Sequence, residues 1–299
     1  MRIKKYATVD IGSNAIRLLI MHAIEHSKGT HFKKASLVRV PIRLGQDVFV
    51  KGEIQERNEE RLIESLKAFK SLIIAHEVDA FRACATSAMR DAKNGESVVE
   101  RVASESGIRI EVIDGKEEAD LIYGTHIENI LDDKNNYLYI DVGGGSTEMT
   151  LFVAGKVEDS KSFDIGTIRL LNGLVEQEEW DEMRNWLLKH EGRDKLQAIG
   201  SGGNINRIYK MNMKSNWKPL LREELAASAA LIESMDYEER LIKLNMNIDR
   251  ADVVLHASNI FLNVTKWANI EKIHVPKMGL ADGLVRKLHE AYLVNKKKN

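Results

Sequence analysis

Two stretches of this chain carry the same ordering of residues capable of chemistry. In VDIGSNAIRLLI an apolar run ends at Asp10, and Gly12, Ser13 and Asn14 follow as a tight turn. In IDVGGGSTEMTL the order recurs, with Asp141 ahead of Gly143, Gly144, Gly145 and Ser146. Glycine lets backbone N–H groups approach a ligand closely, and successive N–H groups in such a turn form a concavity that accepts phosphate oxygens. An Asp at the end of the preceding strand points into the same space. It can hold a hydrated Mg²⁺, an ion that binds through one or two carboxylates plus substrate phosphate. Read singly, each turn is equally a plain hairpin whose Asp accepts turn hydrogen bonds. Two matched copies favour phosphate binding, with Asp10 and Asp141 as facing carboxylates, one per domain.

Other residues add to these turns. Glu148 follows the second turn and is placed to complete a metal site with Asp141; the alternative is a solvated strand face. Glu117 and Glu118 fall in the first turn of an expected helix beginning at Asp114. Glu117 reads as the capping-box partner of Asp114. Glu118 has no such task, and a carboxylate there can orient and deprotonate a water. Its spacing alone is better explained by acidic residues stabilising a helix N-terminus. The run GSGGN, Gly200 to Asn204, reads either as a phosphate-binding helix start or as a tight strand–helix connection. Arg17, Arg90 and Arg169 are the cations near these loops, and an Arg fork matches phosphate oxygens in pairs. His126 and His256 stand isolated on helices, without metal-ligand spacing.

The elements that must position these groups alternate. Tyr6–Asp10 and Ala15–Met21 read as strands around the first turn, and Tyr137–Val142 and Thr147–Val153 as strands around the second. Between them the pattern predicts a helix over 56–76, with Leu62, Leu66, Phe69 and Ile73 on one face. A short buried strand follows at 80–85, then a helix over 96–106 capped by Gly107, and a strand over 108–113. The second half repeats the theme: strands over 157–163, 196–200 and 272–275, and helices over 178–189, from about 204, over 251–267 and over 280–292. Strands alternating with helices, and one motif occurring twice at long spacing, predict an α/β protein of two related domains. We place the boundary at residue 124, giving domains 1–124 and 125–282, with a C-terminal helix, about 283–299, packing back on the first.

Bulk properties exclude other classes. The 299 residues are 43% apolar and 30% charged, ordinary values for a globular protein. Lys plus Arg number 44 and Asp plus Glu 45, a net charge of -1, which argues against a general nucleic-acid binder. The single cysteine, Cys84, sits in an apolar stretch and reads as a buried thiol of a cytoplasmic protein. No apolar run is long enough to span a membrane, and no signal peptide is visible.

Taken together, VDIGSNAIRLLI, ATSAMRDAKNG, IDGKEEADLIYG, YIDVGGGSTEM, DIGTIRLL, AIGSGGN, RADVVLHASNIF and GLADGL resemble the exopolyphosphatase/guanosine pentaphosphate phosphohydrolase family, a branch of the sugar kinase–Hsp70–actin superfamily. The resemblance implies two ribonuclease-H-like (actin-like ATPase) domains with the site in a cleft between them. It implies that Asp10, Gly12, Ser13 and Asn14 form one phosphate loop and Asp141 with Gly143 to Ser146 the other. Asp10, Asp141 and Glu148 would serve Mg²⁺, and Arg17, Arg90, Gly166 and Arg169 would contact substrate phosphates, with Arg250 a further candidate. It makes Glu118 the general base, against the helix-dipole reading of its spacing. Asp120 follows the EEA motif where relatives often carry Arg, so one cation beside that base is missing. Larger members continue into a further helical domain, so this chain is expected to be the short form.

The expected activity is removal of the terminal phosphate of inorganic polyphosphate by a cytoplasmic homodimer. Hydrolysis of guanosine pentaphosphate, by the same chemistry on another leaving group, is the first alternative. An alarmone-binding sensor without turnover and an ATP-driven actin-like protein are the others.

Overall fold

The structure is a computed structural model that describes residues 2–27, 29–123, 135–190, 196–213, 218–276 and 279–298. The chain forms two compact units, Met1–Thr125 with Met278–Asn299, and His126–Lys277.

In chain order the first unit holds β1 (Arg2–Ile11), β2 (Ile16–His26), β3 (Gly29–Val40), α1 (Leu44–Lys51), α2 (Glu56–Ala75), β4 (Ala80–Ala85), α3 (Ser87–Asp91), α4 (Gly95–Ser106), β5 (Ile110–Val112) and α5 (Gly115–Tyr123). The second holds β6 (Asn136–Val142), β7 (Thr147–Val153), β8 (Lys156–Phe163), α6 (Thr167–Leu171), α7 (Gln177–Leu188), β9 (Leu196–Ser201), α8 (Gly203–Met211), β10 (Leu220–Leu221), α9 (Arg222–Glu233), α10 (Tyr237–Ile242), α11 (Ile248–Ala251), α12 (Val254–Trp267) and β11 (Lys272–His274). The chain then returns to the first unit as α13 (Leu280–Lys298).

The two sheets repeat one topology. The first runs β3-β2-β1-β4-β5 and the second β10-β11-β9-β6-β7-β8. In each, three consecutive strands form an antiparallel meander: β1 to β3, then β6 to β8. A parallel strand then joins the first of the three, β4 on β1 and β9 on β6, and a second parallel strand joins that one, β5 and β11. The parallel members need helical crossovers, which supply the layers over the sheet.

Burial follows from the pattern. Leu62, Leu66, Phe69 and Ile73 of α2 are all buried, and the apolar positions of β1 and β2 form a core with them. Tyr6, Leu19, Met21 and Ala23, on the other sheet face, pack on Ala281 and Val285 of α13. Each such side chain contributes about 1.5–3 kcal/mol when fully buried. The second unit has its own core, in which β6, β7 and β9 meet Ile205, Ile208, Ile260, Phe261 and Val264. Gly107 caps α4 in the left-handed region, at φ 68, as its position predicts.

Several elements lie outside the sequence expectation, β3, α1 and α9 among them. β3 pairs along the whole of β2, but it is an edge strand whose THFKKASLVRV run mixes charges with apolar residues, so no clean alternation marks it. α1 follows a left-handed Arg43 rather than a capping side chain. α9 follows Leu221, whose N–H donates to Glu224 at 2.8 Å, in a run without a Ser, Thr, Asp or Asn cap. No helix among the described residues is long and apolar enough to cross a membrane.

Candidate active site

Both hairpins have the same four-residue turn. Ile11 pairs with Ile16 and Val142 with Thr147, and the turn closes by Gly12 N–H to Ala15 O at 3.2 Å and Gly143 N–H to Ser146 O at 2.9 Å. The carbonyls of each turn are then drawn toward the start of a following helix. Gly45 N–H donates to Ser13 O at 2.8 Å and Arg43 N–H to Asn14 O at 3.0 Å. Thr167 N–H donates to Gly143 O at 3.0 Å and Ile168 N–H to Gly144 O at 2.8 Å. A peptide plane carries its C=O and the next N–H in opposite directions. The amides of Asn14 and Ala15, and those of Gly144 and Gly145, are therefore turned away from the supporting helix. Those of Gly144 and Gly145 meet no acceptor among the described residues. Amides so turned have the form of a concavity that can accept an anion.

Gly166 makes the second support feasible. A Cβ there would lie 2.3 Å from Gly145 C and 2.4 Å from Gly144 O, so only glycine lets α6 start directly behind the turn. Arg169 of the same helix donates from Nε to Gly145 O at 2.9 Å and lies 3.7 Å from Asp164. It therefore supports the turn's backbone. In the first unit Ser13 Oγ meets Ser87 Oγ at 2.8 Å, both buried, which ties the turn to the start of α3.

The strand-end acids have different surroundings. Asp10 is buried and ion-paired to Arg17 Nη1 at 2.8 Å. Asp141 accepts from Ser201 Oγ at 3.2 Å and Tyr139 OH at 3.4 Å. Its register partner is Glu148, also buried, which accepts from Ser146 Oγ at 2.5 Å and Ser162 Oγ at 3.2 Å. Gly202, at φ +103, brings the GSGGN loop to this point: a Cβ on it would be 3.3 Å from Asp141 Oδ1. Two carboxylates on adjacent strands beside outward-turned amides fit the way a hydrated Mg²⁺ is held together with phosphate. Among the described residues no group of three or more His, Cys, Asp or Glu forms a closed metal cage.

Glu118 lies half-buried in the first turn of α5, with its N–H on Asp114 O at 3.0 Å. Asp114 Oδ1 accepts from Glu117 N–H at 2.7 Å, as an N-cap should. The return half of the expected box is replaced: Glu117's carboxylate takes a hydrogen bond from Arg82 at 2.9 Å. Arg90 donates to Ile113 O at 3.0 Å and lies 3.8 Å from Asp91, so it ties α3 to the segment that leads into α5. Arg250 lies on α11, and Asp120 is exposed on α5. Burial, opposed by Arg82 and reinforced by Glu111, Glu117 and Asp10, pushes the Cys84 thiol up to about 12, so it stays protonated and inert. His256 is half-buried, which lowers its pKa; His126 lies outside the described residues.

Within the first unit the structure thus gathers Asp10, Gly12, Ser13, Asn14 and Arg17, and links Arg90 to the base of α5. Within the second it gathers Asp141, Gly143 to Ser146, Glu148, Gly166 and Arg169. Sequence reasoning missed Ser87, Ser162, Tyr139 and Arg82 as site residues, while Ser201 falls in the GSGGN run it singles out. Tyr139 stands two residues before Asp141 on one strand face, a signal readable in advance. Ser87, Ser162 and Arg82 come from other strands and helices and left no local signal.

Two units of this topology, each with a glycine turn and a strand-end acid, define a duplicated actin-like ATPase fold. A model of the Ppx/GppA phosphatase family matches residues 23–291. The chain is 31% identical over 313 residues to Exopolyphosphatase 1 of Mycobacterium tuberculosis, covering 95% of this chain and 88% of that protein. It is 34% identical over 168 residues to a bifunctional 3-dehydroquinate synthase/phosphatase of Fusobacterium nucleatum, a match spanning 55% of this chain and 25% of that longer protein. The crystal structure of an exopolyphosphatase from Cytophaga hutchinsonii superposes with a TM-score of 0.84 at 25% identity, covering 96% of this chain and 98% of that one. The chain belongs to the Ppx/GppA phosphatase family and is an enzyme of the phosphoric anhydride hydrolase type.

Proposed function

We propose that this enzyme is a Mg²⁺-dependent exopolyphosphatase, releasing orthophosphate from the end of inorganic polyphosphate. The observation that carries the reading is the repeated turn whose carbonyls are held from behind, with an aspartate at the end of the strand before it. Such turns bind phosphate through backbone amides, which suits a substrate whose every unit is the same anion. The names of the mycobacterial and Cytophaga relatives support polyphosphate over other phosphate chains.

In this reading Glu118 accepts a proton from water as its oxygen bonds to the terminal phosphorus. The bond from that phosphorus to the bridging oxygen breaks, and the shortened chain leaves with the electron pair. Phosphoryl transfer needs positioning and charge stabilisation more than covalent help. The amides of Gly144 and Gly145 would supply part of that stabilisation, and Asn14 and Ala15 offer the same in the first unit. Asp141 and Glu148 would hold Mg²⁺; when bound, the ion neutralises phosphate charge. Arg17 and Arg90 would contact further phosphates, while Arg169 and Gly166 keep the second turn in shape. We further place the enzyme in the cytoplasm, in keeping with a single buried thiol, and expect a homodimer, which sedimentation would check.

The test is phosphate release from long polyphosphate, short polyphosphate and guanosine pentaphosphate, side by side with and without Mg²⁺. Preferred turnover of polyphosphate supports the proposal. Preferred turnover of guanosine pentaphosphate would replace it with the alarmone phosphohydrolase, and tight binding of that nucleotide without turnover of anything would replace it with a sensor.

A further inference from the structure

Arg82 makes two connections that the proposed chemistry does not use. It stands on β4, where it shares a face with Cys84 by the two-residue alternation of a strand. Its Nε and Nη2 donate to Glu111 Oε2 of β5 at 2.9 and 2.6 Å, and Nη2 also reaches Glu117 Oε1 of α5 at 2.9 Å. The guanidinium is therefore anchored on the sheet by one carboxylate and holds a second one on the helix. A planar fork with fixed donor directions suits such a bridge; a Lys ammonium, a flexible point charge, does not.

The second hold on α5 is apolar. Cys84, two residues along β4 from Arg82, is buried with Leu121 of α5, with Ile113, and with Leu280 and Leu284 of α13. Glu117 and Leu121 are spaced i,i+4, so they share one helix face. That face is thus tied to one strand face by the Arg82–Glu117 ion pair and by the apolar cluster that holds both Cys84 and Leu121. Two points along one stripe set the rotation of a helix about its axis. Glu118, one residue past Glu117, is turned about 100° from the held stripe. Loss of the upper point removes the ion pair that ties the first turn of α5, where Glu118 sits, to the sheet.

We infer that Arg82 is a positioning residue that aims Glu118 by clamping Glu117 to the sheet. The inference rests on the assignment of Glu118 as general base, and it adds a residue that touches no substrate. A misplacement of about 1 Å at a reacting group costs about 100-fold in rate, so a small rotation suffices.

The experiment measures kcat and KM for polyphosphate, with thermal melting, for wild type, Arg82→Met, Arg82→Lys, Glu117→Gln, the Arg82→Met/Glu117→Gln double variant and Glu118→Gln. Arg82→Met keeps the apolar stem and removes the fork. We expect kcat to fall about 10- to 100-fold in Arg82→Met and in Glu117→Gln, with KM within about twofold. Arg82→Lys recovers part of the loss, and the double variant is no slower than the worse single one. If Arg82→Met fails to fold, Glu117→Gln decides alone, since it leaves Arg82 on Glu111 and cuts only the link to α5. Wild-type kcat in Glu117→Gln, a change confined to KM or melting, or losses that multiply in the double variant would each overturn the inference while an inactive Glu118→Gln left the base assignment standing. Near-normal turnover in Glu118→Gln would overturn both.

Discussion

Arg17 and Glu148 occupy the same place in the two hairpins: each is the register partner, across its turn, of the strand-end aspartate. In the first unit the aspartate, Asp10, meets a cation at 2.8 Å. In the second the aspartate, Asp141, has a carboxylate opposite it. One duplicated frame therefore holds an ion pair in one copy and a pair of acids in the other, which in the proposed mechanism would divide phosphate contact from cation binding.

The metal prediction follows from that difference. Asp141→Asn and Glu148→Gln should each raise the Mg²⁺ concentration for half-maximal rate by at least about tenfold. Arg17→Met should leave the Mg²⁺ dependence in place and raise KM for polyphosphate. Mg²⁺ titrations of initial rate separate the two behaviours, and chelation with EDTA should stop turnover reversibly.

Glu118→Gln keeps the size and loses the base. Turnover should fall by about 10²- to 10⁴-fold, the usual contribution of general base catalysis, with the melting temperature within about 2 °C of wild type. Single-turnover phosphate release on folded protein checks it.

Gly166→Ala places a methyl group against backbone atoms of Gly144 and Gly145, which cannot move aside as a side-chain end would. Overpacking of this kind costs about 1–3 kcal/mol, and the deformed turn should lose activity beyond that loss of stability. Gly173→Ala is the control: its φ is +65 with no atom within 4 Å of a new Cβ, so about 1 kcal/mol of backbone strain should leave turnover intact. Urea melts and rates on both variants make the comparison.

His289 gives a pH dependence of stability. It is buried on α13, with Nδ1 3.2 Å from Tyr6 OH and Nε2 3.0 Å from Thr30 Oγ1. Burial holds its pKa below the ordinary value, against the pull of Glu25 and Glu290 and with a smaller push from Lys296. A depressed folded pKa means that the full contribution is present above the unfolded value, about 6.5, and is lost as pH falls through the folded one. The melting temperature should therefore drop as pH is lowered from 7 toward 5, and His289→Gln should flatten that slope. His256, also lowered by burial, leaves a remainder.

Much of this was legible in the chain. The Asp–x–Gly turns stand between apolar runs, so local residues alone mark both hairpins, and the 3.6-residue stripe Leu62, Leu66, Phe69 and Ile73 marks α2. The offset of seven residues from Asp10 to Arg17 and from Asp141 to Glu148 was also visible. Its meaning was not, because only a four-residue turn in regular pairing converts that offset into direct opposition. Glu117 was read as a capping partner since its neighbour Asp114 is local, whereas Arg82 lies 35 residues away and wins its carboxylate through the fold. β3 stayed hidden for a related reason: its strand character comes from pairing with β2, and an edge strand facing water needs no alternation of its own.

End-wise hydrolysis of a phosphate chain can be followed by ³¹P NMR of long polyphosphate during digestion. The orthophosphate signal should grow as the internal-phosphate signal falls, with the number of chain ends constant and the reaction stopped by EDTA. A rise in end-group signal, which reports cleavage within the chain, or a spectrum unchanged at enzyme and Mg²⁺ concentrations that support folded protein, would contradict it.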